Sequence, residues 1–284
     1  MFKQGRILGC STPYYPSGWY ADCVNDAKIN PNSDYDYFSW PSTANPTFPP
    51  EEFERARREL PPSLFAMRYL GEFGRPEGQV YSVFDDANIV EHSYNPAVPL
   101  IVGCDFNVNP MAWVIAQSIN GELHIIDEIA LKYDARTIDA LDELHRRYAN
   151  HKGKLLFIGD ASSKSRKTSA AITDYQQIEQ DKRFLAMGRQ INFPNANPNV
   201  VDRVNCVNGL MLNANGQRRL FVNRGCKQLL EDLRMVRYIS GSRVIDKRVY
   251  DGHFADALGY ICWSLFPIRP INIGSTVIST RTFQ

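Results

Sequence analysis

Asp105, Asp160 and Asp256 are the side chains of this sequence placed as chemistry would need them, with Asp251 and His253 beside the last. Asp105 ends the apolar run IVGC at 101–104, and Asp160 ends LLFIG at 155–159. His253 and Asp256 stand three apart at the start of the apolar stretch HFADALGYICWSL, so on a helix they share a face. A carboxylate delivered to the end of a buried strand is costly unless it meets a cation or a hydrogen-bond network. Carboxylates converging from distant stretches supply the hard oxygen ligands that magnesium and manganese take. Two such ions about 4 Å apart activate a water and stabilise the leaving oxygen of a phosphodiester. The expected chemistry is therefore metal-dependent phosphodiester hydrolysis. Asp105 is its first ligand, and His253 is a further ligand or a contact to the scissile phosphate. Taken singly, each residue has a plainer reading. An aspartate at a strand end is commonly a turn former or helix cap, Asp251 before Gly252 marks a turn, and His253 is a polar residue at a helix start. Glu128 reads as structural, with a place lining the site as the alternative. The joint pattern favours the site.

The elements that must position these residues follow from periodicity. Residues 100–105 and 111–118 read as strands. Asn120-Gly121 is a strong hairpin signal, since both positions accept positive φ, and 122–129 is the third strand, with Leu123, Ile125 and Ile129 on one face. Strands joined by such short turns form an antiparallel meander. A helix over 135–149 turns Ile138, Leu141, Leu144 and Tyr148 inward, with Asp134 as its cap. The next strand, 154–159, then runs parallel to the first, which sets Asp105 and Asp160 side by side. Lys164, Arg166 and Lys167 lie in the basic loop that follows. Such a loop is usually just solvated; as cations they are also candidate phosphate contacts, which hold a backbone without reading its sequence. Beyond it we expect a helix to about 182, strands at 190–193 and 218–222, and helices at 200–212, 226–235 and 253–265. The fold class is α/β, a mixed sheet of an antiparallel three-strand meander plus parallel strands, flanked by helices.

The front of the chain is less regular. Residues 6–10 read as a strand halted by Pro13, and 35–40 (YDYFSW) as an alternating aromatic strand. Pro49-Pro50 before Glu51-Glu52 start a helix over 51–60. Ser63 caps a short helix at 64–69. Gly71, Gly74, Pro76 and Gly78 mark a hinge, and 80–84 is a short strand. We divide the chain into an irregular appendage, 1–78, and one domain, 79–284. The 284 residues carry a net charge of +1, so no global field draws nucleic acid and any polyanion must be held locally. The six cysteines show no paired spacing, which argues against structural zinc. Cys104 and Cys262 read as buried thiols of a reducing compartment. Neither a signal peptide nor a membrane span is evident, and no GxxxxGK[ST] phosphate loop occurs.

In this order, IVGCDFNVNPMAW, LLFIGDASS and DGHFADALGY resemble the C-terminal nuclease domain of the large terminase subunits of tailed bacteriophages, over about residues 98–267. The resemblance implies an RNase H/RuvC-like fold and carries the family's metal-binding acids onto Asp105, Asp160 and Asp256. His253 matches a pattern found in part of the family, and Asp251 is left open as a fourth acid. RILGCSTPYY and FSWPSTANPTFPPEEFERARRELPPSLFAMRYLGEF resemble the tail of the terminase ATPase domain and its linker, with Ser11-Thr12-Pro13 as the motif coupling ATP hydrolysis to movement. The family's phosphate loop and the acidic strand that holds magnesium-ATP belong upstream and are missing, so ATP-driven translocation by this chain alone is not expected. The implied function is a Mg2+- or Mn2+-dependent endonuclease with a two-metal site. It would cut concatemeric double-stranded DNA during viral genome packaging in the bacterial host cytoplasm. Portal protein, small subunit and a homo-oligomer on the portal are the implied partners. Two other readings stand beside it: a RuvC-like resolvase or another RNase H-fold nuclease, and a catalytically silent assembly module of the packaging motor.

Overall fold

The structure is a computed structural model that describes residues 8–12, 19–73, 78–107, 109–133, 135–164 and 172–268. Apolar runs and turn residues build its centre. Strands β1 (Leu100–Asp105), β2 (Met111–Ile119) and β3 (Glu122–Leu131) form the meander, with β1 and β3 each antiparallel to β2. Asn120 and Gly121 both take positive φ in the β2–β3 turn, as the hairpin needs. β4 (Leu155–Gly159) lies parallel to β1, β5 (Gln190–Asn192) parallel to β4, and β6 (Leu220–Val222) parallel to β3. Among the described residues the sheet has six strands in the order β5-β4-β1-β2-β3-β6. An antiparallel meander bordered by parallel strands is the RNase H/RuvC-like arrangement expected.

Helices cover both faces. One core packs the sheet against α7 (Val200–Met211), α8 (Lys227–Met235) and α9 (His253–Leu265). The other packs it against α4 (Thr137–Tyr148), α5 (Asp174–Gln180) and α6 (Lys182–Leu185). Trp113 and Phe157 are fully buried on this second face, and burial of side chains of this size contributes about 1.5–3 kcal/mol each. β1 is buried along its whole length. It is an interior strand of the sheet with helices packed on both of its faces, so a residue at its tip is flanked by neighbouring strands and by both layers. Among the described residues no helix is long and apolar enough to cross a membrane.

At the front, α1 (Trp19–Ile29), α2 (Pro50–Glu59) and α3 (Pro62–Phe65) precede the sheet. Ala56, Leu60, Leu64, Phe65, Met67 and Tyr69 form a small core of their own. That core is tied to the end of α7, where Ala214 N–H donates to Leu60 O at 3.0 Å and Asn213 Nδ2 donates to Arg58 O at 2.8 Å.

Several local expectations are corrected. Residues 35–40 form no strand, since alternation alone supplies no ladder partner; instead exposed Phe38 and Trp40 stack with ring centroids 5.7 Å apart. α1 lies in a stretch whose aromatic and polar residues mask any helical stripe. α3 begins at Pro62 after Pro61, so Ser63 is already inside it and caps nothing. The π turn Ala66–Leu70 follows α3 directly. Residues 80–84 form a turn held by Val80 N–H on Val236 O. The helix at 135–149 is shorter, starting at Thr137, and leaves Ile138 exposed while Ala140 takes the inward place. Leu8, Gly9 and Cys10 are not in a strand, while the rest of the 6–10 reading, Pro13 and Asp134 lie outside the described residues. β3 does not keep Leu123, Ile125 and Ile129 on one face. A bulge opposite Ile115 and Ala116 inserts one residue, so Leu123 and Ile125 enter the first core and Ile129 the second.

Candidate active site

β1 and β4 pair with Cys104 opposite Gly159, and the next step of that register is Asp105 beside Asp160. Adjacent parallel strands lie about 4.8 Å apart, so the two carboxylates leave neighbouring strand tips on the same edge. Both are more than nine-tenths buried. Asp256 arrives from the opposite direction, on the first turn of α9. α9 approaches β1 this closely because residue 103 is glycine: a Cβ there would stand 2.6 Å from Ala257 O and 2.7 Å from Ile261 Cδ1.

Each carboxylate is engaged by a different part of the chain. Asp105 Oδ2 accepts from Asn107 Nδ2 and lies 2.9 Å from His253 Nδ1, and Asn107 Nδ2 is itself 2.7 Å from that nitrogen. Asp160 Oδ1 accepts from Ser162 Oγ at 2.9 Å. Asp256 Oδ1 accepts from Arg203 Nη2 at 2.7 Å, and Lys247 Nζ lies 3.5 Å from Oδ2. Burial is the main cause pushing the carboxyls of Asp160 and Asp256 above the usual carboxylate range, and the charge of Asp105 pushes both further. Ser162 pulls Asp160 back, and Arg203 and Lys247 pull Asp256 back. His253 is held above its ordinary value, first by its hydrogen bond to Asp105 and against the opposing effect of burial. Asp105 is thus the charge that the other site residues feel.

Of the other expected residues, Asp251 is largely exposed and meets the site only through His253, whose Nε2 is 3.9 Å from Asp251 Oδ2. Lys164 lies at the end of the turn Ala161–Lys164 after Asp160, and its Nζ donates to Asn195 Oδ1 at 2.9 Å. Arg166 and Lys167 lie outside the described residues. Glu128 does not face the carboxylates: its two oxygens accept the N–H groups of Gln228 and Leu229, each at 2.9 Å, and so cap α8.

Sequence reasoning passed over five residues. Asn107 and Ser162 each stand two beyond an aspartate already singled out, a spacing that lets a side chain turn back. Arg203 had a signal too, as a charge on the apolar stripe of VVDRVNCVNGLM. Lys247 and Asp232 had none, because only the packing of distant elements brings them in. Asp232 on α8 accepts the Ala255 N–H at 3.0 Å and so caps α9, which has no side-chain cap of its own.

Among the described residues, no three acidic, histidine or cysteine side chains are already drawn together as a metal cage. Three largely buried carboxylates, two of them raised in proton affinity by burial and by the charge of Asp105, with only oxygens to offer, are nevertheless the donor set a hard divalent cation takes. The residues fit such an ion.

No protein-family model and no curated protein matches the chain. Solved structures do. The large terminase of a thermophilic bacteriophage, in its second crystal form, matches with a TM-score of 0.62 at 15% identity, over 89% of this chain and 60% of that one. Over that part, the chain shares the fold of a phage large terminase. The same terminase in complex with ATP-γ-S, in its third crystal form, matches with a TM-score of 0.62 at 16% identity, over 88% of this chain and 61% of that one. The chain therefore spans about 60% of the length of these terminases. The large terminase nuclease of the thermophilic phage G20c with bound magnesium aligns over 66% of this chain and 96% of its own length, at 18% identity and a TM-score of 0.44.

Proposed function

We propose that this chain is a metal-dependent endodeoxyribonuclease that cuts double-stranded DNA. The observation that carries the reading is the pair Asp105 and Asp160 at neighbouring buried strand tips, with Asp256 on the first turn of α9 within reach of the charge of Asp105. Asp105, Asp160 and Asp256 would hold magnesium or manganese as a two-metal site. When bound, such ions activate water and stabilise the leaving oxygen of a phosphodiester. Asp105 links the set, because its charge bears on both other carboxylates. Asn107 and His253 orient it, and His253 stays protonated more readily for doing so. His253 would face an approaching phosphate, with Asp251 3.9 Å from its Nε2 as a further acid. Burial of the site excludes bulk water and strengthens every such interaction. Lys164, Arg166 and Lys167 follow Asp160 directly and would contact the DNA backbone.

The terminase fold and the sequence resemblance support a place in viral genome packaging, with cleavage of concatemeric DNA in the host cytoplasm. Portal protein, small subunit and further copies of the chain are its partners in that reading. Residues 1–78 would be the end of the ATPase part and its linker, and 79–284 the nuclease domain.

The test is plasmid cleavage by the purified chain with magnesium, manganese or EDTA. Cutting that needs the metal and is lost in a folded Asp105→Asn protein is the expected result. Unchanged cutting by that variant overturns the assignment. Preference for branched DNA would redirect it to a resolvase, and a folded chain that binds neither metal would redirect it to a silent assembly module.

A further inference from the structure

Arg203 is 5% exposed and built into its place. Its guanidinium carbon stands 4.3 Å from the centre of the Tyr260 ring, and its Nη1 is buried with no hydrogen-bond partner. Room for its stem comes from Gly259, where a Cβ would stand 2.7 Å from Arg203 Cγ and 2.9 Å from Cδ. A buried cation with a donor left over is costly, and one bond to a carboxylate offsets only part of that cost. The carboxylate oxygen it meets is Asp256 Oδ1. The other oxygen of Asp256 meets a different kind of cation. Lys247 is more than half exposed and reaches Oδ2 at only 3.5 Å, so it is easily moved aside.

Resting on the metal-dependent reading above, we infer that Arg203 is a positioning residue that clamps Asp256 Oδ1 so that Oδ2 alone is offered to the metal, and that Lys247 is the displaceable cation at that oxygen. The two neighbours of one carboxylate then have opposite effects. Lys247 competes with the metal, whereas Arg203 prepares its ligand.

Simple electrostatics makes a different prediction. Removing either positive charge should strengthen metal binding, since both repel a divalent cation. Manganese titrated calorimetrically into the full chain, without DNA, separates the two accounts. We expect Lys247→Met to bind manganese a few-fold more tightly and Arg203→Met about tenfold more weakly, the scale of loss when a ligand's supporting partner is removed. Arg203→Lys should recover part of that loss. Gly259→Ala, which keeps every charge but crowds the arginine stem, should also weaken binding, and it tests the clamp if Arg203→Met fails to fold by circular dichroism. Arg203→Met or Gly259→Ala binding as tightly as wild type overturns the clamp. Lys247→Met binding no more tightly overturns the role of the lysine. A wild-type chain that takes up no manganese overturns the metal reading itself, and this inference with it.

Discussion

Asp160 follows β4 at the register position beside Asp105 at the end of β1, and the charge of Asp105 raises the proton affinity of Asp160. Two anions held together in this way destabilise the chain when no cation lies between them. At an effective dielectric of about 20, charges roughly 5 Å apart repel by about 3 kcal/mol, and relaxation reduces this. Asp160→Asn keeps an oxygen for Ser162 and removes the repulsion. Without metal its melting temperature should therefore rise by a few degrees. Added manganese should stabilise wild type and leave the variant unmoved. Scanning calorimetry with and without manganese checks both. A variant that melts several degrees lower would show that the Asp160 carboxylate serves the fold.

Gly103 sets the distance between β1 and α9, and so between Asp105 and Asp256. In Gly103→Ala the new Cβ meets a backbone oxygen, Ala257 O, which has no rotamer through which to withdraw. We expect a loss of about 1–3 kcal/mol, as for an overpacked core. Cleavage should fall further than the population of folded protein explains, because α9 carries Asp256 outward. Urea unfolding beside single-turnover cleavage measures the two effects. An unchanged midpoint would mean that the helix has slack at this crossing.

Much of this was legible in the chain. β1 and α9 were readable to the residue, because each is an unbroken apolar run with a sharp polar boundary, and the crossover helix before 155–159 was enough to set Asp160 beside Asp105. The bulge in β3 was not, because one inserted residue leaves the apolar pattern looking continuous while it moves Ile129 to the other face. Residues 35–40 alternate like a strand, yet alternation describes a face and says nothing of a partner. The carboxylates could be found because acids at strand ends stand out against apolar neighbours. Of their supports, Arg203 showed only as a charge on an apolar stripe, and Lys247 and Asp232 not at all, since they reach the site only through the packing of distant elements.

The helix α9 stands at the end of a short chain of caps. Glu128 on β3 caps α8, and Asp232 on α8 caps α9. In Glu128→Ala two partly buried N–H groups lose their acceptors, with an expected cost of about 1–2 kcal/mol. Amide exchange at Gln228 and Leu229 should speed up before that of the sheet. Glu128→Gln, which retains one acceptor oxygen, should lie between the alanine variant and wild type. Equal exchange at both amides in all three proteins would exclude the capping role.

Asp232 gives the chain a definite pH dependence. Burial raises its pKa from 3.8 to about 6, against the lowering effect of its bonds to Ala255, Phe254 and Tyr250. Between those two values the folded chain holds a proton that the unfolded chain has released. The stability associated with Asp232 is therefore fully present below about pH 4 and is lost as pH rises through about 6, a change of about 3 kcal/mol. Other groups titrate in the same range, so the useful quantity is a difference. Asp232→Asn keeps an oxygen for the Ala255 N–H but cannot ionise. Its stability relative to wild type should grow by about 3 kcal/mol from pH 4 to pH 7 in urea unfolding. A difference that stays flat across that range would mean that Asp232 ionises in the folded chain as easily as in the unfolded one, and that the N-terminus of α9 stabilises the carboxylate as fully as water does.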